Sequence, residues 1–353
     1  MPHATDGSPR DVILVTSWIE PDLVEKIRAA APDAEVVYEP GLLRPPRYPA
    51  DHSGRPVPRT EEQEVAWRAL LARATILFDF DPTHREDLPE LAPRVRWIQA
   101  TSAGIGQMVR RLEYARRMPD TVFTTASGVH ARPLAEFALL SILAHGRRLL
   151  PTLHAQAARR WERFAGLDLD GRTVLIVGFG SIGAEVARLV RPLGVRVVGV
   201  RRRPDTPSTT AEGVDAVFGP DRLHDLLPTA DYLVLTLPHT DETEGLIGTV
   251  ELAALPEGAV LINIGRGALV DEEALVDALE SGRLGGAFLD VFAHEPLPPE
   301  SPLWDRPDVV VSPHSASTSE GENARIVAVF CENLLRHRAC EPLLNVLDVD
   351  RLY

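Results

Sequence analysis

The sequence predicts an α/β protein of two units, each a parallel sheet covered by helices. Three observations predict it. From Gly171 onward, short apolar strands alternate with helices, the pattern of a parallel sheet buried on both faces. The first 127 residues hold a smaller strand and helix alternation of their own. With 353 residues, 44% of them hydrophobic, the chain can bury two cores.

In the N-terminal unit, "DVILVTSW" (11–18) reads as a buried strand and "PDLVEKIRAAAP" as a helix opened by proline. "EVVYEP" is a second strand. Residues 39–60 are proline-rich and aperiodic, so they read as a long loop that is surface, or that reaches over a cleft or a partner. "EEQEVAWRALLARA" is helical, "TILFDF" is a strand, and "VRWIQATSAGIG" is a strand running into a glycine loop. "RPLAEFALLSILAHGRRLLPTLHAQ" then reads as one long apolar helix with Pro133 near its first turn; so wide an apolar face must be covered by a domain or a second chain. The strands that follow are "TVLIVG", "RVVGV", "DYLVLTLP", "AVLINIG", "GGAFLDVF" and "DVVVSPH", with helices "GAEVARLVRPLG" and "DEEALVDALESGRL" among them.

A formal charge of −14 argues against a nucleic-acid backbone as partner. The two cysteines, Cys331 and Cys340, form no CxxC pair, which suits a reducing cytosol. Cys331 sits in an apolar helical run and reads as core. No run approaches the ~18 apolar residues of a spanning helix, so a soluble cytoplasmic protein with no membrane contact is expected. No spacing of His, Cys and carboxylates suggests a metal.

"VLIVGFGSIGAEVARLVRPLG" places Gly178, Gly180 and Gly183 as G-x-G-x-x-G between a strand and a helix. The first glycine allows a tight turn, the second close approach of backbone to a pyrophosphate, and the third helix–strand contact; the amides at Ser181 and Ile182 then face a diphosphate. This is a Rossmann dinucleotide site. Where such sites select NAD, an Asp or Glu ends the second strand. Here Arg201, Arg202 and Arg203 stand there instead. A guanidinium binds a 2′-phosphate through paired hydrogen bonds, so NADP(H) is preferred, with NAD(H) as the alternative. The plainer reading of the arginines is a solvated basic face.

Ligands of open parallel sheets bind beyond the carboxyl ends of the strands. Arg266 follows "AVLINIG", Asp290 and Glu295 follow "GGAFL", and His314 follows "DVVVSP". Arg266 could clamp a carboxylate and polarise the adjacent carbonyl. His314 could protonate the carbonyl oxygen as hydride arrives at carbon, with Glu295 favouring the imidazolium. Asp290 could bond the nicotinamide carboxamide. Singly, each has a duller explanation as a surface or packing residue, and His294 stands beside Glu295 as a competitor; the conjunction carries the reading.

The segments "LDLDGRTVLIVGFGSIG", "TLPHTDETEGLIG", "LINIGRGALVDEEALVDALESGRLGGAFLDVFAHEPLP" and "SPHSA" resemble the D-isomer-specific 2-hydroxyacid dehydrogenases. The resemblance implies Arg266, Glu295 and His314 as catalytic arginine, glutamate and histidine. It implies cofactor contacts at Leu237, Pro238, Thr243, Ile264, Gly265 and Asp290 besides the glycine loop and Arg201 and Arg202. It further implies a discontinuous, flavodoxin-like substrate domain, 1–127 with 316–353, beside a dinucleotide-binding domain, 128–315, the active site lying in the cleft. The helix near Pro133 resembles the family's dimer-forming element, so a homodimer is expected. "TSAGIG" resembles the loop whose amides, at Ala103 and Gly104, meet the substrate carboxylate; where the family often has Gly-x-Asp, this chain has Gly104, Ile105 and Gly106. Glu295 argues against the formate dehydrogenase branch, which uses glutamine. The preferred reading is an NADPH-dependent reductase of a small 2-oxo acid of the glyoxylate or hydroxypyruvate kind. The alternative is a nicotinamide-sensing, corepressor-like binding protein on the same fold. Trp304 reads equally as pocket wall or as packing.

Overall fold

The computed structural model describes residues 10–203 and 213–352. The chain divides into two compact units, Met1–Val129 with Thr318–Tyr353, and His130–Ser317.

The N-terminal unit runs β1 (Val12–Val15), α1 (Pro21–Ala30), β2 (Glu35–Val37), α2 (Glu61–Arg73), β3 (Ile76–Phe78), α3 (Leu88–Leu91), β4 (Trp97–Gln99), α4 (Gly106–Arg111), α5 (Tyr114–Arg117) and β5 (Val122–Thr124). Its five strands are parallel in the order β2-β1-β3-β4-β5, the flavodoxin-like arrangement. Every residue of β3 and β4 is buried, so both faces are covered. The last helix of the chain covers one face: its Phe330 meets the rings of Phe78 and Trp97, each at 5.1 Å. β5 has no period of its own to mark it in the sequence; it is held by pairing with β4 and by a bridge from Thr124 to Val346.

The proline-rich stretch is more ordered than its lack of periodicity suggests. Pro40–Leu42 forms a 3-10 turn. Beyond it, the buried carboxylate of Asp51 accepts from Arg47 three times, from the amide at 3.0 Å, Nε at 2.7 Å and the guanidinium tip at 2.9 Å, and from the Gly54 amide at 3.1 Å. Burial opposes ionisation of Asp51, but these bonds outweigh it and lower its pKa to about 2. From the stapled turn, His52 Nε2 reaches Asn323 Oδ1 at 2.7 Å.

The second unit begins with α6 (Ala131–Gly146) and α7 (Leu149–Ala157), where the sequence suggests one long helix. The break has two local causes. Pro151 lacks an N–H and its ring clashes with the carbonyl four residues back, so it is tolerated only in a first turn. The carbonyl of Gly146 instead accepts the Leu167 amide at 2.8 Å, and Arg148 turns left-handed at φ 53°. There follow β6 (Thr173–Val177), α8 (Ser181–Val190), β7 (Arg196–Val200), β8 (Ala216–Phe218), α9 (Leu223–Leu226), β9 (Tyr232–Leu235), α10 (Thr249–Ala254), β10 (Ala259–Asn263), α11 (Glu272–Glu280), β11 (Leu284–Leu289) and β12 (Val309–Val311). The seven strands are parallel, in the order β12-β11-β10-β9-β6-β7-β8, a doubly wound Rossmann sheet. Edge strand β8 is short and only half-buried, so no apolar run announces it.

The final helix, α12 (Glu322–Arg338), packs against α1. Cys331 lies on it at the rim of the core, half-buried rather than inside, and burial raises its pKa. Among the described residues no helix is long and apolar enough to cross a membrane.

Asp51 yields a stability test. Its depressed pKa means that its contribution is fully present above the ordinary value of 3.8 and fades as pH falls toward 2. Asp51→Ala is expected to cost roughly 2 kcal/mol at neutral pH. The gap between the two proteins in urea unfolding should narrow steadily as pH falls from 3.8 to about 2; a pH-independent gap contradicts the assignment.

Candidate active site

The glycine turn lies between β6 and α8. Gly178 has φ 104°, and a Cβ there would stand 2.8 Å from the Leu237 amide nitrogen. Gly183 packs so closely that a Cβ would touch Ile176 Cγ2 at 3.0 Å. At Gly180, by contrast, the nearest atom to a Cβ is 3.9 Å away, so a side chain would project into open space above the turn. That space, bordered by the amides of Ser181 and Ile182 at an α8 terminus with no side-chain cap, fits a diphosphate. The residues present therefore suit a dinucleotide.

Arg201 follows β7 directly, its amide bonded to the Phe218 carbonyl at 3.0 Å. The Arg202 guanidinium meets Glu242 at 3.0 Å on the surface. Arg203 is exposed, and residues 204–212 lie outside the described residues. After β9, Leu237 and Pro238 enter a loop closed by Thr243, whose hydroxyl donates to the Pro238 carbonyl at 2.8 Å. Ile264 and Gly265 follow β10; a Cβ on Gly265 would lie 2.8 Å from the Leu237 carbonyl oxygen. These segments all leave the carboxyl edge of one sheet.

Three neighbouring strands deliver the charged groups. After β10, buried Asn263 shapes the turn: its Oδ1 accepts the Gly265 amide at 3.1 Å and its Nδ2 donates to the Arg266 carbonyl at 2.9 Å. The Arg266 guanidinium folds back on the Gly265 carbonyl at 2.7 Å. Burial lowers its pKa, with Glu295 acting in the opposite sense. Gly267 is required by contact, because a Cβ would fall 1.9 Å from the Phe292 carbonyl carbon. The turn after β11 is thus pressed against the turn after β10, bringing Glu295 toward Arg266.

Glu295 Oε1 accepts the Phe292 amide at 3.0 Å, and its Oε2 lies 2.8 Å from His314 Nδ1. Burial opposes ionisation of this carboxyl, but the bonds from His314 and Phe292 and the charges of His314 and Arg266 outweigh it and lower its pKa. An ionised carboxylate only accepts, so Nδ1 carries the proton and donates. His314 Nε2 has no partner among the described residues.

Asp290 organises the histidine loop. It is 1% exposed, and its Oδ1 accepts the Ser312 hydroxyl at 2.5 Å and the amides of Ser315 at 2.8 Å and Ala316 at 2.9 Å. Its backbone carbonyl accepts the His314 amide at 2.9 Å. These bonds hold His314 in the left-handed region at φ 54°, uncommon for a residue with a side chain. Burial raises the Asp290 pKa against the pull of those bonds. Oδ2 accepts no bond among the described residues.

Arg266, Glu295 and His314 are thus brought together. His294, the competitor, is exposed on the turn beside Glu295. Trp304 is half-exposed and its indole donates to the Pro298 carbonyl at 2.9 Å. Among the described residues no group of three His, Cys, Asp or Glu side chains could hold a metal ion. Residues 139–316 match the model of the D-isomer specific 2-hydroxyacid dehydrogenase NAD-binding domain. The chain belongs to that dehydrogenase family.

Among its relatives, a glyoxylate reductase of Aeropyrum pernix is 36% identical over 260 residues, 70% of this chain and 75% of that one. A glyoxylate/hydroxypyruvate reductase A of Klebsiella pneumoniae is 34% identical, covering 72% of this chain and 80% of its own. A D-isomer specific 2-hydroxyacid dehydrogenase of Xanthobacter autotrophicus, solved with NADPH and MES, superposes with a TM-score of 0.76 at 30% identity, covering 98% of this chain and 100% of that one.

Ala103 and Gly104 belong to the N-terminal unit, on the loop after β4, where the Gly104 amide meets Ser102 Oγ at 3.2 Å. The departure from the dehydrogenase pattern at Gly106 has a steric reason: a Cβ would lie 2.0 Å from the Leu352 carbonyl oxygen, so no side chain fits. The sequence reading missed Asn263, Gly267 and Ser312. Gly267 had a signal, since it directly follows the charged residue after a strand; Asn263 and Ser312 had none, their roles being set by which oxygen they meet.

Gly267→Ala is expected to destabilise the protein by about 1–3 kcal/mol and to lower activity, since the Phe292 backbone must shift. Gly41→Ala, where a Cβ meets nothing within 4 Å, is the control expected to unfold as the parent does. Calorimetry of both variants checks this.

Proposed function

We propose that this dehydrogenase reduces a small 2-oxo acid of the glyoxylate or hydroxypyruvate kind, with NADPH preferred over NADH. The observation that carries the reading is the 2.8 Å contact of His314 Nδ1 with Glu295, which leaves Nε2 available at the strand ends that also carry Arg266. A bound nicotinamide would supply the hydride for C2 of the acid. His314 Nε2 gives its proton to the carbonyl oxygen, producing the 2-hydroxy acid. Glu295 holds the imidazole in orientation and balances its charge. The Arg266 fork clamps the carboxylate and draws electron density from the adjacent carbonyl; the amides of Ala103 and Gly104 are assigned to the same carboxylate by the family resemblance. On the cofactor side, Gly178, Gly180, Ser181, Ile182 and Gly183 cradle the diphosphate. Arg201 and Arg202 bind the 2′-phosphate, and Asp290, Leu237, Pro238, Thr243, Ile264 and Gly265 line the nicotinamide half. The glyoxylate and glyoxylate/hydroxypyruvate reductase relatives and the NADPH in the Xanthobacter structure support the substrate class and cofactor.

The apolar side chains left exposed on and after α6 and α7, among them Leu140, Leu149, Leu153, Trp161 and Phe164, favour a homodimer through this face. A cytoplasmic location completes the proposal.

Loss of NADPH absorbance with glyoxylate or hydroxypyruvate is the direct test; no turnover with either, alongside tight NADPH binding, supports the corepressor-like alternative. His314→Ala should lower kcat by about 10²–10⁴ while NADPH affinity stays near the parental value. Arg201→Ala combined with Arg202→Ala should weaken NADPH binding roughly 10–100-fold and leave NADH little changed. Equal losses for both cofactors contradict phosphate recognition.

A further inference from the structure

Outside the assigned groups, one charged residue is bonded to the turn that carries Glu295. Glu272 opens α11, six residues after Arg266, and its Oε1 accepts the Ala293 amide at 2.6 Å. The same turn is pressed by Gly267 at Phe292. Its next bond is the Phe292 amide to Glu295 Oε1 at 3.0 Å, and Glu295 Oε2 then meets His314 at 2.8 Å. The segment 266–272 therefore grips the 292–295 turn at two points, one steric and one polar.

We propose that Glu272 is a positioning residue for the reaction: by holding the Ala293 amide it fixes Glu295 against His314 while the segment it belongs to presents Arg266. The inference rests on the catalytic reading above. Without the Glu272 bond, Gly267 still limits how near the turn comes but no longer prevents it from drawing away, because a steric stop acts in one direction only. The charged groups facing His314 and its partner are Glu295, Arg266 and Asp290, with His294 on the turn and Glu272 behind it.

An alternative role for Glu272 is simply a negative charge at the first turn of α11, favourable to the helix dipole. Substitution separates the two. Glu272→Gln removes the charge but keeps an oxygen acceptor for Ala293; Glu272→Ala removes both. Positioning predicts that Ala lowers kcat/KM on the order of fivefold, the factor one ordinary hydrogen bond carries. It also predicts that the limb of the pH–rate profile set by the acid/base pair moves to lower pH, because a loosened carboxylate favours the imidazolium less. Gln should retain parental turnover and profile. NADPH affinity, measured by fluorescence titration, should be unchanged in both variants. If Gln behaves as Ala, or if the Ala profile superposes on the parental one, the inference is wrong. Absence of turnover in the parent would defeat the catalytic reading instead, and the two failures are told apart by assaying the parent first. Circular dichroism of both variants ensures that compared proteins are folded; an unfolded Ala variant is replaced by Glu272→Ser, for which the same loss is expected.

Discussion

The buried carboxylate of Asp290 is the constraint on which the site depends. A carboxylate removed from water must be given donors, and here the donors are the hydroxyl and amides of the loop that carries His314. The loop cannot relax without leaving that oxygen unsatisfied, so His314 stays in an uncommon backbone conformation. Strain in one residue is thus balanced by electrostatics in its neighbour.

The second constraint is steric. Parallel strands end at one edge, which places the segments after β10, β11 and β12 beside one another. Proximity of segments is not yet contact of side chains. Contact follows from Gly267, whose missing side chain lets the backbone of the next turn approach, and from Asn263, which turns the chain so that Arg266 is presented. A half-buried guanidinium and a carboxylate then lie near enough to bias each other's ionisation. Charge complementarity is therefore a consequence of close backbone packing.

Most of the architecture was legible because the strands are apolar and the glycine loop has few alternatives. What escaped was what a neighbour decides. The α6 to α7 break required knowing that Leu167 bonds the Gly146 carbonyl, although Pro151 alone was a warning. Strands β5 and β8 are three residues each and exist through pairing. Cys331 lies on an apolar helix yet only at the margin of its core. The proline-rich stretch carries no period, and its order comes from contacts no period encodes, the donors gathered by Asp51 and the bond from His52 to Asn323 among them.

By itself the sequence determined the two parallel sheets, the dinucleotide turn, and the arginine, glutamate and histidine placed after successive strands, because hydrophobic period and glycine spacing are local properties of a chain. Only the tertiary structure decided that Glu295 meets Nδ1 and leaves Nε2 open, that Asp290 spends one oxygen on the histidine loop, and that Gly106 must lack a side chain beside Leu352. Those are matters of which atom faces which across distant segments, and hydrogen-bond direction and close contact are set by the packed chain, not by the order of its residues.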